Sequence, residues 1–104
     1  MYGYTLHFPA PIEVYLTMHR AIMETVSEEG EVEGLLLHYA YPSDQGFDLV
    51  EVWESKEQLE AFNRDVFPRA MARSGLPPGG PMPDPVEFTP AVVMTPRAFS
   101  SDAA

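Results

Sequence analysis

The stretch "GLLLHYAYPSDQGFDLVEVW", from Gly34 to Trp53, constrains this chain more than any other. It holds two apolar runs joined by Pro42, Ser43, Asp44 and Gly46, residues that each favour turn geometry, and so reads as a hairpin of two strands. Side chains of a strand alternate between its two faces, and a half-solvated hairpin therefore alternates apolar with polar. This one does not. The first strand sets Leu35, Leu37, Tyr39 and Tyr41 against Leu36, His38 and Ala40; the second sets Phe47, Leu49 and Trp53 against Val50 and Val52. Exposing either face would leave side chains in water that contribute ~1.5–3 kcal/mol each when buried. Both faces of the sheet need a cover, so we expect helices on one and a second copy of the chain on the other.

Around the hairpin the period of the pattern changes twice. Tyr2, Tyr4, Leu6 and Phe8 alternate with Gly3, Thr5 and His7 until Pro9 and Pro11 end the run, which predicts a first strand. From Ile12 to Glu28 the repeat becomes helical: Tyr15, Met18, Ile22 and Val26 form a stripe opposite Glu13, Thr17, Arg20, Glu24 and Glu28, and Gly30 closes it. Ser55 followed by Gln58 fits a capping box that starts a second helix, with Leu59, Phe62, Val66 and Ala70 as its buried stripe. Pro68, which lacks an amide proton, should kink or split that helix, and Gly75 should stop it. Leu76 to Pro85 is too rich in proline and glycine for a regular element and reads as a loop. Val86 to Thr95 predicts a last strand interrupted by Pro90.

The order β-α-β-β-α-β specifies an α+β fold: a four-stranded antiparallel sheet with both helices on one face, the ferredoxin-like arrangement. One domain over residues 1–95 accounts for this pattern, followed by a tail over 96–104 expected to be flexible or to contact a partner. The 104 residues carry 16 acidic against 6 basic side chains, a net charge of −10, which repels nucleic acid and anionic membranes. No cysteine is present, so disulfides, thiolate metal sites and cysteine nucleophiles are excluded. The N-terminal residues lack the pattern of a signal peptide and no apolar run approaches the ~20 residues of a membrane span, so a cytoplasmic location is expected.

"GLLLH" at Gly34 to His38, "VWES" at Val52 to Ser55 leading into "LEAFNRDVFPRAM", and the Pro68-then-Gly75 ending of the second helix together resemble the dimeric α+β barrel superfamily, which includes the antibiotic-biosynthesis monooxygenases. The resemblance spans Tyr2 to about Met94. It implies a homodimer formed through the sheet face, and a pocket between helices and sheet. It further implies a cofactor-independent monooxygenase-like activity on a small aromatic substrate, phenol, quinol or polyketide-like. A cofactor-free cyclase or isomerase of the same fold, or a non-catalytic small-molecule-binding dimer, is the alternative. Haem-degrading members carry an iron-ligating histidine near the end of the second helix and a tryptophan about three turns before it. Those places fall here at about Ala72 and Phe62, so haem degradation is disfavoured.

Three polar residues stand out against apolar surroundings as catalytic candidates: His19, inside the stripe of the first helix; His38, beside Leu36 and Ala40; and Asn63, flanked by Leu59, Phe62, Val66 and Phe67. A histidine there could remove a phenolic proton and the asparagine amide could hold the resulting oxyanion; each is also open to a bland role as a satisfied buried polar group. The candidate substrate-binding residues are His7, Tyr15, Met18, Met23, Trp53 and Phe62, of which the apolar ones are also what a helix-on-sheet core requires. Strand parity leaves the direction of His7 and His38 open. The three histidines lack metal-ligand spacing, and neither metal nor cofactor is expected. Glu51, between Leu49 and Trp53, should be buried with a raised pKa or paired with an arginine, of which Arg64, Arg69, Arg73 and Arg97 are available.

Overall fold

The computed structural model describes residues 1–30, 32–77 and 83–94. The element order is β1 (Tyr2–Phe8), α1 (Ile12–Glu29), β2 (Leu35–Ser43), β3 (Gly46–Trp53), α2 (Lys56–Asp65), α3 (Phe67–Ser74) and β4 (Val86–Phe88). The strands form one open antiparallel sheet in the order β2-β3-β1-β4, an α+β arrangement compatible with the ferredoxin-like expectation.

The expected second helix is two helices. α2 begins on the Ser55 cap, whose hydroxyl accepts from the Gln58 amide at 3.3 Å, and it ends at Val66. Pro68 at the start of α3 has no amide hydrogen to continue the ladder, so the chain re-enters a new helix that Gly75 closes in the left-handed conformation. The break gives α3 a different neighbour from α2. It packs on α1, where Ala21 and Thr25 form a second buried line alongside the stripe that the period predicts, and Ala70 is fully buried from the other side. Ion pairs Arg73–Glu28 and Arg69–Glu29 border the same contact.

β1 and β3 pair in register from Tyr2↔Trp53 to Phe8↔Phe47, which places Tyr2, Tyr4, Leu6, Phe8, Phe47, Leu49, Glu51 and Trp53 on one face. Tyr15 of α1 and Phe62 of α2 both meet side chains of that face, so the helices cover it. Its centre is a cluster of Tyr4, Leu6, Trp53 and Leu59. Ser43 pairs with Gly46 across a two-residue turn, Asp44–Gln45, whose positive φ is carried by Gln45 (61°), not by the glycine. Gly46 is required for another reason: a Cβ there would collide with the carbonyl oxygen of Phe8, so only glycine lets β1 close against the turn.

Two expectations about the strands need correcting. β2 carries a bulge between Leu35 and Leu37, so Leu35 opposes Trp53 on the helix-covered face and does not share the face of Leu37, Tyr39 and Tyr41. The last strand is three residues long within the described range, ending at Phe88 well before Pro90; its pairing with Gly3 to Thr5 gives it only an edge position. Thr95, residues 78–82 of the expected loop, and the tail over 96–104, with Arg97, lie outside the described residues. No helix among the described residues is long and apolar enough to cross a membrane.

Candidate active site

Between the helices and the covered face of the sheet lies a cavity of about 670 Å³. Its walls are almost wholly apolar, from Leu6 and Leu35 on the sheet to Ile22 and Val26 on α1 and Phe62 on α2. The polar groups gather around one carboxylate. Glu51 is buried at the middle of β3, and its side chain accepts three hydrogen bonds: from the Tyr4 hydroxyl, from Trp53 Nε1 at 3.0 Å, and from His38 Nδ1 at 2.6 Å. His38 is in turn bonded through Nε2 to the Tyr15 hydroxyl. No buried polar side-chain atom among the described residues is without a partner.

The local sequence dictates this convergence. A two-residue connection from Ser43 to Gly46 sets His38 directly across from Glu51, and the β1–β3 register sets Tyr4 across from the same residue. Three strands thus aim one side chain each at a common point. Residues two apart share a strand face, which brings the Trp53 indole N–H to the same carboxylate. Tyr15 comes down from the first turns of α1, stacked on His38 with ring centroids 5.8 Å apart and 21° between planes.

The Glu51 carboxyl is pulled two ways. Burial raises its pKa, but the donors His38, Tyr4 and Trp53 together outweigh burial and hold it below its ordinary value. It is therefore a buried anion, neither the raised-pKa acid nor the arginine partner that its sequence context suggests. The tyrosines shift the other way. Burial first, then the Glu51 charge, raises Tyr15, and the same two causes raise Tyr4 further. His19 is lowered by burial and then by His38, so it stays neutral through a wider range.

Of the candidates named from sequence, His38, Tyr15 and Trp53 meet at Glu51. His19 lines the cavity beside them, stacked on Tyr15 (5.7 Å, 22°) and on His38 (6.0 Å, 13°). Met18 and Phe62 are half-buried in the wall, and Phe62 packs on Trp53 at 5.7 Å. Met23 lines the cavity from an exposed position. Asn63 also lines it but is exposed, which corrects its placement within an apolar stripe: α2 turns Leu59 and Phe62 to the sheet and leaves Asn63 to solvent. His7 is not at the cavity. It projects from the opposite face, where Nδ1 lies 2.6 Å from Asp48 Oδ1. Sequence reasoning missed Glu51 as the hub and Tyr4 as its donor. The signal was present in the two-residue turn, from which counting back pairs His38 with Glu51.

No family model matches this chain, and no curated protein matches it significantly.

Proposed function

We propose that this chain is a cofactor-independent, monooxygenase-like enzyme acting on a small aromatic phenol or hydroquinone, polyketide-like compounds among them. The observation that carries this reading is a buried carboxylate–imidazole pair, Glu51 and His38, opening onto a large apolar cavity. The carboxylate fixes which imidazole nitrogen bears hydrogen and stabilises the imidazolium that forms when His38 accepts a proton from the substrate. The apolar walls suit a flat ring and keep water from the anion produced. An electron-rich phenolate can then reduce dioxygen itself: a hydroquinone and dioxygen give a hydroxyquinone and water, a balance that needs no external reductant. His19 flanks the base, and the Asn63 amide, exposed at the cavity margin, would be the group that meets a substrate oxygen.

The test is oxygen uptake by the purified chain on a panel of phenols and hydroquinones. Turnover lost in His38→Gln supports the reading; turnover retained in that variant, or no turnover on any member of the panel, refutes it. A second reading is favoured by the fact that Glu51, His38 and Tyr15 already form a complete proton-transfer chain: cyclisation or isomerisation without oxygen. Product formation under anaerobic conditions selects it.

The enzyme is proposed to act as a homodimer joined through the uncovered sheet face. Leu37, Tyr39, Tyr41, Val86 and Phe88 are all exposed there, Val86 by 68% and Tyr39 by 47%. Phe88 lies across Gly3, where a Cβ would collide with its ring, so the glycine lets that ring lie over β1 on this face. Sedimentation of Tyr39→Asp as single chains beside a two-chain wild type is the expected result, and a single-chain wild type at micromolar concentration removes the dimer.

A further inference from the structure

His38 does not meet the cavity with a bare nitrogen. Its Nδ1 is taken by Glu51, and the Tyr15 hydroxyl lies against Nε2. An ionised carboxylate has no hydrogen to give, so Nδ1 of the neutral ring carries the proton and Nε2 the lone pair. The Tyr15 hydroxyl is therefore the donor in the second bond. Tyr15 is held in place on several sides: stacked on His38 and His19, tilted against Phe47 at 5.6 Å, and buried at the root of α1 while still lining the cavity. A side chain wedged among three rings is not free to swing aside and bare the imidazole.

We propose that Tyr15 is itself a catalytic residue, the atom that touches the substrate proton. The substrate X–H bond breaks as its hydrogen passes to the Tyr15 oxygen, the Tyr15 hydroxyl hydrogen passes to His38 Nε2, and the electron pair stays on the substrate anion. Tyr15 begins and ends neutral, and Glu51 holds the imidazolium. The reverse sequence returns a proton to the product. Because the two transfers move together, Tyr15 never has to exist as a free phenolate, and the burial that weakens its acidity does not oppose the step. This inference rests on the acid–base reading given above, and it competes with a simpler picture in which the substrate hydroxyl displaces Tyr15 and bonds His38 directly.

The two are separated with 4-nitrophenol, whose colour reports whether its hydroxyl is ionised, and whose binding is followed by quenching of Trp53, the only tryptophan. Wild-type protein should raise the ionised fraction of the bound probe above its value in free solution at the same pH. In Tyr15→Phe the probe should still quench Trp53, but its ratio of ionised to neutral form should fall about tenfold, the effect of one pKa unit. An ionised fraction in Tyr15→Phe equal to or above that of wild type overturns the relay and leaves the acid–base reading standing. Wild-type protein that binds the probe without ionising it, or does not bind it, overturns both. If Tyr15→Phe does not fold, 3-fluorotyrosine at position 15 keeps the ring and acidifies the hydroxyl. The relay then predicts a larger ionised fraction than wild type, and an unchanged fraction overturns it.

Discussion

The sheet carries a histidine against a carboxylate on each of its faces, at the same separation. On the covered face His38 Nδ1 lies 2.6 Å from Glu51 Oε2; on the other, His7 Nδ1 lies 2.6 Å from Asp48 Oδ1. Each carboxylate also takes a tyrosine hydroxyl, Tyr4 on Glu51 and Tyr41 on Asp48. Within the single chain, what differs is water. The side chains of the first pair are 22% and 9% exposed, those of the second 49% and 28%. A wet pair is screened and its members find substitute partners in solvent, whereas a dry carboxylate depends on every donor it has. Asp48 is held below its ordinary pKa by His7, Ser43 and Tyr41 with little burial to overcome, while Glu51 reaches the same direction against a large burial penalty. Distance alone does not mark a functional pair; the cost of having placed it does.

Several variants would break or sharpen this contrast. The largest effect should be on turnover: His38→Gln is expected to lower it by about 100- to 10,000-fold, the range of a lost general base, while His7→Gln leaves it unchanged. Steady-state kinetics on a confirmed substrate reads both, and equal losses would erase the distinction between the faces. Next comes stability. Glu51→Ala strands His38, Tyr4 and Trp53 Nε1 without their acceptor and should cost about 3–5 kcal/mol by urea denaturation, the usual result of removing one partner of a buried pair. Asp48→Ala, made in the single-chain Tyr39→Asp background so that the uncovered face stays in water, should barely move the midpoint.

A smaller effect should appear on the acid side. The folded Glu51 carboxyl lies below its ordinary value of 4.5, so its contribution is complete above that pH and is lost as pH falls through the lower, folded value. Glu51→Gln should flatten the fall in stability below about pH 4.5; a wild-type curve that the substitution leaves unaltered would show that the carboxylate is not held as an anion. The smallest effect is that of salt. Exposed charges are screened within about 8 Å at physiological ionic strength, so added salt should remove what the Asp48 pair contributes and leave the Glu51 pair almost untouched. Comparing the salt dependence of Asp48→Asn and Glu51→Gln by thermal melting, both in the single-chain Tyr39→Asp background, checks it.

Much of the framework was legible from residue patterns. β1 follows the alternation from Tyr2 to Phe8, α1 the helical stripe through Tyr15, and the break at Pro68 and stop at Gly75 follow from a missing donor and a left-handed cap. The covered face was readable in β3, because Phe47, Leu49 and Trp53 outweigh Val50 and Val52. What stayed hidden was relational. His38 has apolar neighbours on both parities, and the bulge at Leu35/Leu37 blurs its side further, so alternation within β2 gives no answer. Only pairing with β3 does. The buried line of Ala21 and Thr25 escaped notice because small and hydroxylated residues make a weak apolar stripe; its meaning comes from α3, an element that exists only once the second helix has split. Asn63 looked enclosed because helical spacing reports a face without reporting how far the helix stands from the sheet.

The bulge at Leu35/Leu37 sits at the end of the hairpin remote from the turn, and that location shields the site from sequence drift. From the tip outward the ladder is regular as far as Leu37, so a residue gained or lost near Gly34 is absorbed beyond His38. The same change at Asp44 or Gln45 would slide the strands by one place and swing the imidazole out through the sheet to its opposite face. Length variation is thus tolerable at one end of this hairpin and ruinous at the other.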